Sequence, residues 1–234
     1  MTNVSNTLVI EPKTQAWLDA LAAADSPPLY ELSPRDAREV LRSVQTSVEV
    51  AQPAADIEDL VIPGGPTGEV EVRIVRPRDI GSLLPVIVHS HGGGWILGDK
   101  DTHERLDREL TTAAEAVIVF VNYTPAPEAH YPTQNEQAYT VLEWAVDNAR
   151  GFGGDGSRVA LVGESVGGNM TAALTLMAKR RGGPKLAAQV LFYPVTDANF
   201  GTGTYDRYAE GPLADPRSDG VVLGRLPARR GPAL

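Results

Sequence analysis

Cysteine is absent from all 234 residues, which excludes disulfide bonds, thiolate metal sites and a cysteine nucleophile. Long apolar runs are absent as well: none approaches the roughly 20 residues that a transmembrane helix requires, so we expect no membrane span. The first residues, MTNVSNTLVIEPKTQ, contain neither the basic nor the apolar segment of a secretory signal. These absences together predict a cytoplasmic protein.

Basic residues are fewer than acidic residues in this chain. The chain has 21 Lys and Arg against 30 Asp and Glu, a net charge of −9, which argues against nucleic acid as a partner. No group of His, Asp and Glu has metal-ligand spacing, so we expect neither a metal nor an organic cofactor. The hydrophobic content of 42% is sufficient for the core of one domain of ordinary size.

Two short amphipathic helices are predicted near the start of the chain, over 14–24 and 34–45. The second has strong start signals, because Ser33 can cap it and Pro34 occupies its first turn. We treat residues 1–50, which contain both helices, as a separate N-terminal unit.

Strands dominate the pattern after that unit. An antiparallel pair lies around the turn PGGPTG, and four nearly continuous apolar strands then alternate with helices. Such alternation predicts an α/β fold with a mainly parallel sheet, helices on both faces and chemistry at the carboxyl ends of the strands. The predicted strands are 57–63, 70–76, 84–90, 116–123, 158–164 and 187–194, and the helices between the last four are 102–115, 133–150 and 166–181.

A serine motif lies between a strand and a helix. The segment Gly163-Glu164-Ser165-Val166-Gly167 has the form G-x-S-x-G, in which a strained turn exposes the serine hydroxyl above the sheet. The structural alternatives are a tight strand-to-helix turn and an anion site at the start of a helix. Its position after the apolar run RVALV favours the catalytic interpretation.

A glycine-rich loop follows another predicted strand. His91-Gly92-Gly93-Gly94-Trp95 has room for backbone N–H groups to converge on a developing oxyanion, because glycines have no side chains to intrude. The alternative is simply a flexible loop after a strand. The presence of Ser165 in the same chain makes the oxyanion loop the better interpretation.

With these two motifs, the chain resembles the hormone-sensitive-lipase-like branch of the α/β-hydrolase fold, which includes many bacterial carboxylesterases. The resemblance runs from about residue 10 to about residue 212. The family usually has Asp where this chain has Glu164, and commonly Arg-Leu where this chain has Thr124-Pro125. The segments that carry the resemblance are 91–95, 122–123, 126–128, 131–132 and 163–169.

The resemblance implies roles for individual residues. It makes Ser165 the nucleophile and the N–H groups of Gly93, Gly94 and Val166 the oxyanion hole. It also implies that His91 orients the loop rather than acting as the base, and that the N-terminal helices form part of a cap over the acyl pocket. Gly92, Gly163 and Gly167 support the two motifs.

The general base that a nucleophilic serine needs is missing from its usual place. In this fold the chain order is Ser, then Asp or Glu, then His, yet all four histidines precede Ser165. Of these, His89 and His91 belong to the oxyanion strand and loop, we expect His103 to face solvent or cap a helix, and His130 lies in a turn. We assign neither a triad His nor a triad Asp, although Asp197 ends a predicted strand.

The last residues, 213–234, depart from the family pattern and lack the periodicity of the elements before them. One permitted set of codons for 213–232, read from the second base, encodes WLTRAAMEWFWDAYLPDEA, which resembles what the family has there. We therefore hypothesise one extra nucleotide near codon 213, which removes the last two strands together with the triad Asp and His. A disordered tail is the alternative. Under the hypothesis of an extra nucleotide, the catalytic domain, 51–212, is incomplete.

Three functions remain open at this point. The first is a serine carboxylesterase that hydrolyses small, short-acyl esters. The second is a catalytically inactive pseudo-enzyme that lacks the triad Asp and His. The third is an amidase or peptidase on the same fold, which fold-level similarity does not exclude.

Overall fold

Six strands form one mixed sheet in the computed structural model of the protein, which describes residues 10–23, 27–47 and 49–208. The strands are β1 (Ala55–Pro63), β2 (Glu69–Pro77), β3 (Leu84–Ser90), β4 (Val117–Asn122), β5 (Gly154–Glu164) and β6 (Ala188–Phe192). Their order across the sheet is β1-β2-β4-β3-β5-β6. Strand β2 is antiparallel to β1 and β4, whereas β4, β3, β5 and β6 pair in parallel. The predicted α/β class with a mainly parallel sheet is confirmed.

The predicted helices are all present, with bounds that differ by a few residues. Ser33 caps the helix that begins at Pro34 as predicted, because its hydroxyl accepts the N–H of Asp36 at 3.2 Å. A short helix near residue 205 and two 3₁₀ turns, Leu29–Glu31 and Ala149–Phe152, were not predicted. The helices are α1 (Pro12–Ala23), α2 (Pro34–Thr46), α3 (Glu104–Ala114), α4 (Thr133–Asn148), α5 (Val166–Arg181) and α6 (Gly203–Tyr208).

Helices cover both faces of the sheet, as the apolar strands predict. Side chains alternate along β4, so that Ile118 packs towards Leu110 of α3, whereas Val117 and Val119 join the larger core beneath α4 and α5. Five of the six residues of β4 are buried. This double coverage explains why the strand reads as a continuous apolar run rather than an alternating one.

Strand β5 is longer at its start than the sequence predicts. It begins at Gly154 rather than at residue 158, because Leu84 and Pro85 pair with Gly154 and Asp155 before the register shifts. The glycine-rich segment before Arg158 reads as a turn in the sequence, and pairing with β3 overrides that local preference.

Strand β6 is the edge of the described sheet, and it is shorter than the predicted 187–194. Its apolar side chains are partly open to solvent: Val190 is 45% exposed and Phe192 is 41% exposed. In the described ranges no helix has both the length and the apolar character needed to cross a membrane. The predicted tail, 213–234, lies outside the described residues.

Candidate active site

Ser165 occupies a strained turn between β5 and α5. Its backbone has φ 55° and ψ −121°, in a region that residues with side chains rarely adopt. Two hydrogen bonds hold this conformation: the Ser165 N–H donates to the Phe192 carbonyl at 3.0 Å, and its carbonyl accepts the Val195 N–H at 3.0 Å. The turn therefore depends on the chain at the end of β6, which the local motif alone does not indicate.

Close approach of two backbones explains one glycine of the serine motif. A Cβ atom at Gly167 would lie 1.9 Å from the carbonyl oxygen of Ser90, so no larger residue fits without a backbone shift. The start of α5 thus packs directly against the end of β3. This contact brings the serine turn and the glycine-rich loop together, as the carboxyl ends of parallel strands predict.

The glycine-rich loop forms a tight turn beside the serine. Gly93 has φ +102°, and its carbonyl accepts the N–H groups of Ile96 at 3.1 Å and Leu97 at 2.8 Å. A Cβ at Gly93 would lie 2.3 Å from the Leu97 carbonyl oxygen, so this position requires glycine. A Cβ at Gly92 would lie 3.3 Å from the Ser165 Cβ, which shows how close the loop comes to the serine.

Backbone donors remain available in this region. Among the described residues, none accepts a hydrogen bond from the N–H of Gly93 or Gly94. Val166 is the first residue of α5, where an N–H has no partner within the helix. The structure therefore brings the three predicted donors to the neighbourhood of Ser165.

His91 lies beneath the glycine-rich loop. Its Nδ1 donates to the Gly92 carbonyl at 2.7 Å, and its ring stacks on that of Tyr123 with centroids 4.1 Å apart. The Tyr123 hydroxyl donates to the His91 carbonyl at 3.0 Å. Burial, together with the nearby His103, lowers the pKa of His91 to about 3, so the ring is neutral. These contacts agree with a role in orienting the loop rather than in proton transfer.

The remaining histidines do not serve as a base for Ser165. In the described part of the chain, no imidazole lies within hydrogen-bond distance of the serine hydroxyl. The prediction for His103 is wrong: its ring is mostly buried, and its Nε2 lies 3.2 Å from Oε1 of Glu164. His130 is exposed. Asp197 is exposed as well, and it accepts the N–H of the adjacent Ala198 at 2.7 Å.

The structure contains a buried ionisable cluster that the sequence analysis does not predict. His89 lies between two carboxylates, with its Nδ1 2.6 Å from Asp107 and its Nε2 2.9 Å from Glu164. The second oxygen of Glu164 accepts the Gly92 N–H at 2.6 Å. The sequence offers one signal, because His89 and Glu164 lie at the ends of apolar strands that are predicted to be covered on both faces, where unpaired charges are unfavourable. No described group of His, Asp and Glu has the arrangement of a metal site.

A sequence profile described as the α/β-hydrolase fold matches residues 87–222 of the chain. The chain belongs to the α/β-hydrolase fold family. Within it, the chain is similar to Mycobacterium tuberculosis carboxylesterase NlhH, with 37% identity over 76% of this chain and 56% of the relative. It is 32% identical to esterase LipI of the same species, over 93% of this chain and 68% of the relative. These similarities confirm the hormone-sensitive-lipase-like branch that the motifs indicate.

Solved structures give the same assignment. A thermostable esterase from Pseudomonas putida superposes with a TM-score of 0.92 at 40% sequence identity, over 97% of this chain and 70% of the esterase. A putative α/β hydrolase of Acanthamoeba polyphaga mimivirus is 34% identical over 209 residues, which are 59% of its length. The chain thus spans about three fifths of the length of the curated relatives it matches.

Proposed function

We propose that the chain carries the nucleophile and the oxyanion hole of a serine carboxylesterase for small, short-acyl esters. The observation that carries this proposal is the strained backbone of Ser165, at φ 55° and ψ −121°, directly beside the Gly92–Gly94 segment. A non-glycine residue persists in such a conformation only where its surroundings enforce it. The esterase names of the relatives support the substrate class.

In the proposed reaction the Ser165 hydroxyl oxygen bonds to the acyl carbon, and the carbonyl electrons move onto the carbonyl oxygen. The N–H groups of Gly93, Gly94 and Val166 stabilise that oxyanion. The ester C–O bond then breaks as the carbonyl re-forms, the alcohol leaves with the proton from the Ser165 hydroxyl, and water hydrolyses the acyl-serine to release the acid. Serine attacks slowly without a base, and none of the four histidines, all of which are described, hydrogen-bonds to Ser165, so full activity requires a further base.

A second candidate, a pseudo-enzyme that binds esters without turning them over, rests on one observation. His89, His91 and His103 are engaged with Asp107, Gly92 and Glu164 instead of the serine. If no other residue supplies a base, only the modest rate provided by binding and the oxyanion hole would remain. The amidase or peptidase alternative has no observation in its favour beyond the shared fold.

A fluorophosphonate probe tests the proposal, because the serine oxygen displaces fluoride at phosphorus much faster when an oxyanion hole or a base activates it than in an ordinary serine. Because the oxyanion donors alone retain part of the rate enhancement, we expect slow labelling of the chain and no labelling in Ser165→Ala. Hydrolysis of p-nitrophenyl acetate, compared with the matching anilide, then separates an esterase from an amidase. Absence of labelling in a folded protein would support the pseudo-enzyme, and faster turnover of the anilide would support the amidase.

A further inference from the structure

One buried carboxylate connects the two halves of the candidate site. Glu164 directly precedes Ser165, and its Oε1 accepts the N–H of Gly92 at 2.6 Å. Gly92 in turn directly precedes Gly93 and Gly94, two of the three proposed oxyanion donors. A hydrogen bond with a charged acceptor is about twice as strong as a neutral one, so Glu164 fixes the position of this loop more firmly than a neutral acceptor could.

Glu164 is itself held by a histidine with no access to solvent. His89 Nε2 lies 2.9 Å from Oε2 of Glu164, and His89 Nδ1 lies 2.6 Å from Oδ1 of Asp107 on α3. The side chains of His89 and Asp107 are fully buried, and that of Glu164 is 10% exposed. Both ring nitrogens of His89 are therefore occupied, which leaves none to accept a proton from Ser165.

The charges in this cluster complement each other. Burial alone would lower the pKa of His89, but Asp107 and Glu164 outweigh it and raise that pKa to about 10. Burial alone would raise the pKa of Glu164, but hydrogen bonds from His103, His89 and Gly92 hold it far below its ordinary value. A positive ring thus lies between two carboxylates, which is the arrangement that makes buried charges tolerable.

Every element packed against His89 contributes to its surroundings. The charged neighbours are Asp107 from α3 and Glu164 from β5. His103, at the start of α3, lies edge-on with ring centroids 6.2 Å apart, and Phe120 of β4 packs edge-on at 5.3 Å. His91, two residues along the chain, also interacts electrostatically with His89.

We propose that Asp107 and His89 are positioning residues that hold the Glu164 carboxylate against the Gly92 N–H, and thereby keep the oxyanion loop in place beside Ser165. The proposal rests on the proposed function, since a loop position matters for rate only if the loop stabilises an oxyanion. The three side chains act through Gly92 and do not contact the substrate. The series of contacts Asp107–His89–Glu164 has the residue types of a proton relay, but it ends at a backbone N–H rather than at a nucleophile.

The first test compares fluorophosphonate labelling kinetics of the full chain with those of His89→Gln and Glu164→Gln. The exposed His130→Gln serves as the matched control. We expect the maximal labelling rate to fall about tenfold or more in both variants, with the half-saturating probe concentration nearly unchanged, because the loop acts on the charged, tetrahedral state. An unchanged maximal rate in folded variants would overturn the proposal.

If the parent chain is not labelled, the proposed function fails, but the positioning role can still be tested by a second measurement. Hydrogen exchange of the Gly92 N–H, measured by NMR, is expected to quicken about tenfold or more in Glu164→Gln and His89→Gln. The Val88 amide in β3, the strand that leads into the loop, is the internal control, because general loosening of this region would accelerate exchange at both amides. Equal acceleration, or none at Gly92, contradicts the positioning role. If His89→Gln does not fold, Asp107→Asn, which keeps the shape of the side chain, replaces it.

Discussion

The guanidinium of Arg38 on α2 binds both carboxylate oxygens of Glu128 at 2.7 Å, across 90 positions of the chain. The same side chain donates from Nε to the Ile96 carbonyl at 2.7 Å and from Nη2 to the Ala126 carbonyl at 2.8 Å. Ile96 lies in the turn that follows Gly93. One arginine thus joins α2 to the loop beside Ser165.

Replacement of Arg38 by Met should detach α2 from that loop. We expect the free energy of unfolding to fall by about 1–2 kcal/mol, mainly through the two backbone carbonyls, because the ion pair with the half-exposed Glu128 is screened by solvent. Urea unfolding at neutral pH measures the change. Arg35→Met is the matched control, since Arg35 is exposed on the same helix and has no ion pair with any described residue. Equal stability of the two variants would contradict the prediction.

Gly167→Ala should damage the fold near the serine turn. The added Cβ would meet the Ser90 carbonyl oxygen at 1.9 Å, so the start of α5 must move away from β3. We expect destabilisation of about 3 kcal/mol or more, or failure to obtain folded protein. The control is Gly151→Ala, because a Cβ at Gly151 meets nothing within 4 Å. A thermal unfolding midpoint for Gly167→Ala close to that of Gly151→Ala would be evidence against this close approach.

The hypothesis of an extra nucleotide near codon 213 makes a direct prediction about the gene. The family match ends at residue 222, beyond that codon, so the match does not by itself locate a shift. Resequencing across the codons for Gly211 to Arg217 decides the question. If the extra base is absent, we expect the reading frame WLTRAAMEWFWDAYLPDEA, a downstream histidine and ordinary esterase activity. Presence of the base would reject a sequencing error and favour the pseudo-enzyme.

The sequence predicts the parts of this molecule that depend on local pattern and misses those that depend on distant partners. Apolar periodicity indicates the sheet, and the motif spacing indicates the turns at Ser165 and Gly93, although the hydrogen bonds to Phe192 and Val195 that hold the Ser165 turn lie outside its motif. The role of Glu164 is not evident from its motif. Its partners Asp107 and His89 are far along the chain and meet it only once α3, β3 and β5 pack together.

The same limit applies to His103. Its place at the start of α3 predicts a solvent-facing or capping side chain, but the side chain makes no capping hydrogen bond. Packing of α3 against the sheet instead turns the ring inward to Glu164, at 3.2 Å. Tertiary contacts override a local preference here because a buried carboxylate needs a donor.

The stability of the protein should depend on the charge of His89 in the alkaline range. Its pKa is raised to about 10 in the folded state, above the ordinary value of about 6.5. Its contribution to stability is therefore fully present below about pH 6.5 and is lost as the pH rises through about 10. Urea unfolding at about pH 7, 8 and 9 should show a fall of up to about 1.4 kcal/mol per pH unit that is absent in His89→Gln.

The comparison isolates His89 because other groups that titrate in this range are common to both proteins. His130→Gln should retain the full slope of the parent chain, since this histidine is exposed. NMR of the ring nitrogens offers an independent measure: one imidazole should remain doubly protonated at about pH 8, and its signal should disappear in His89→Gln. Parallel stability profiles for the parent and His89→Gln would mean that the ring is neutral in the folded protein.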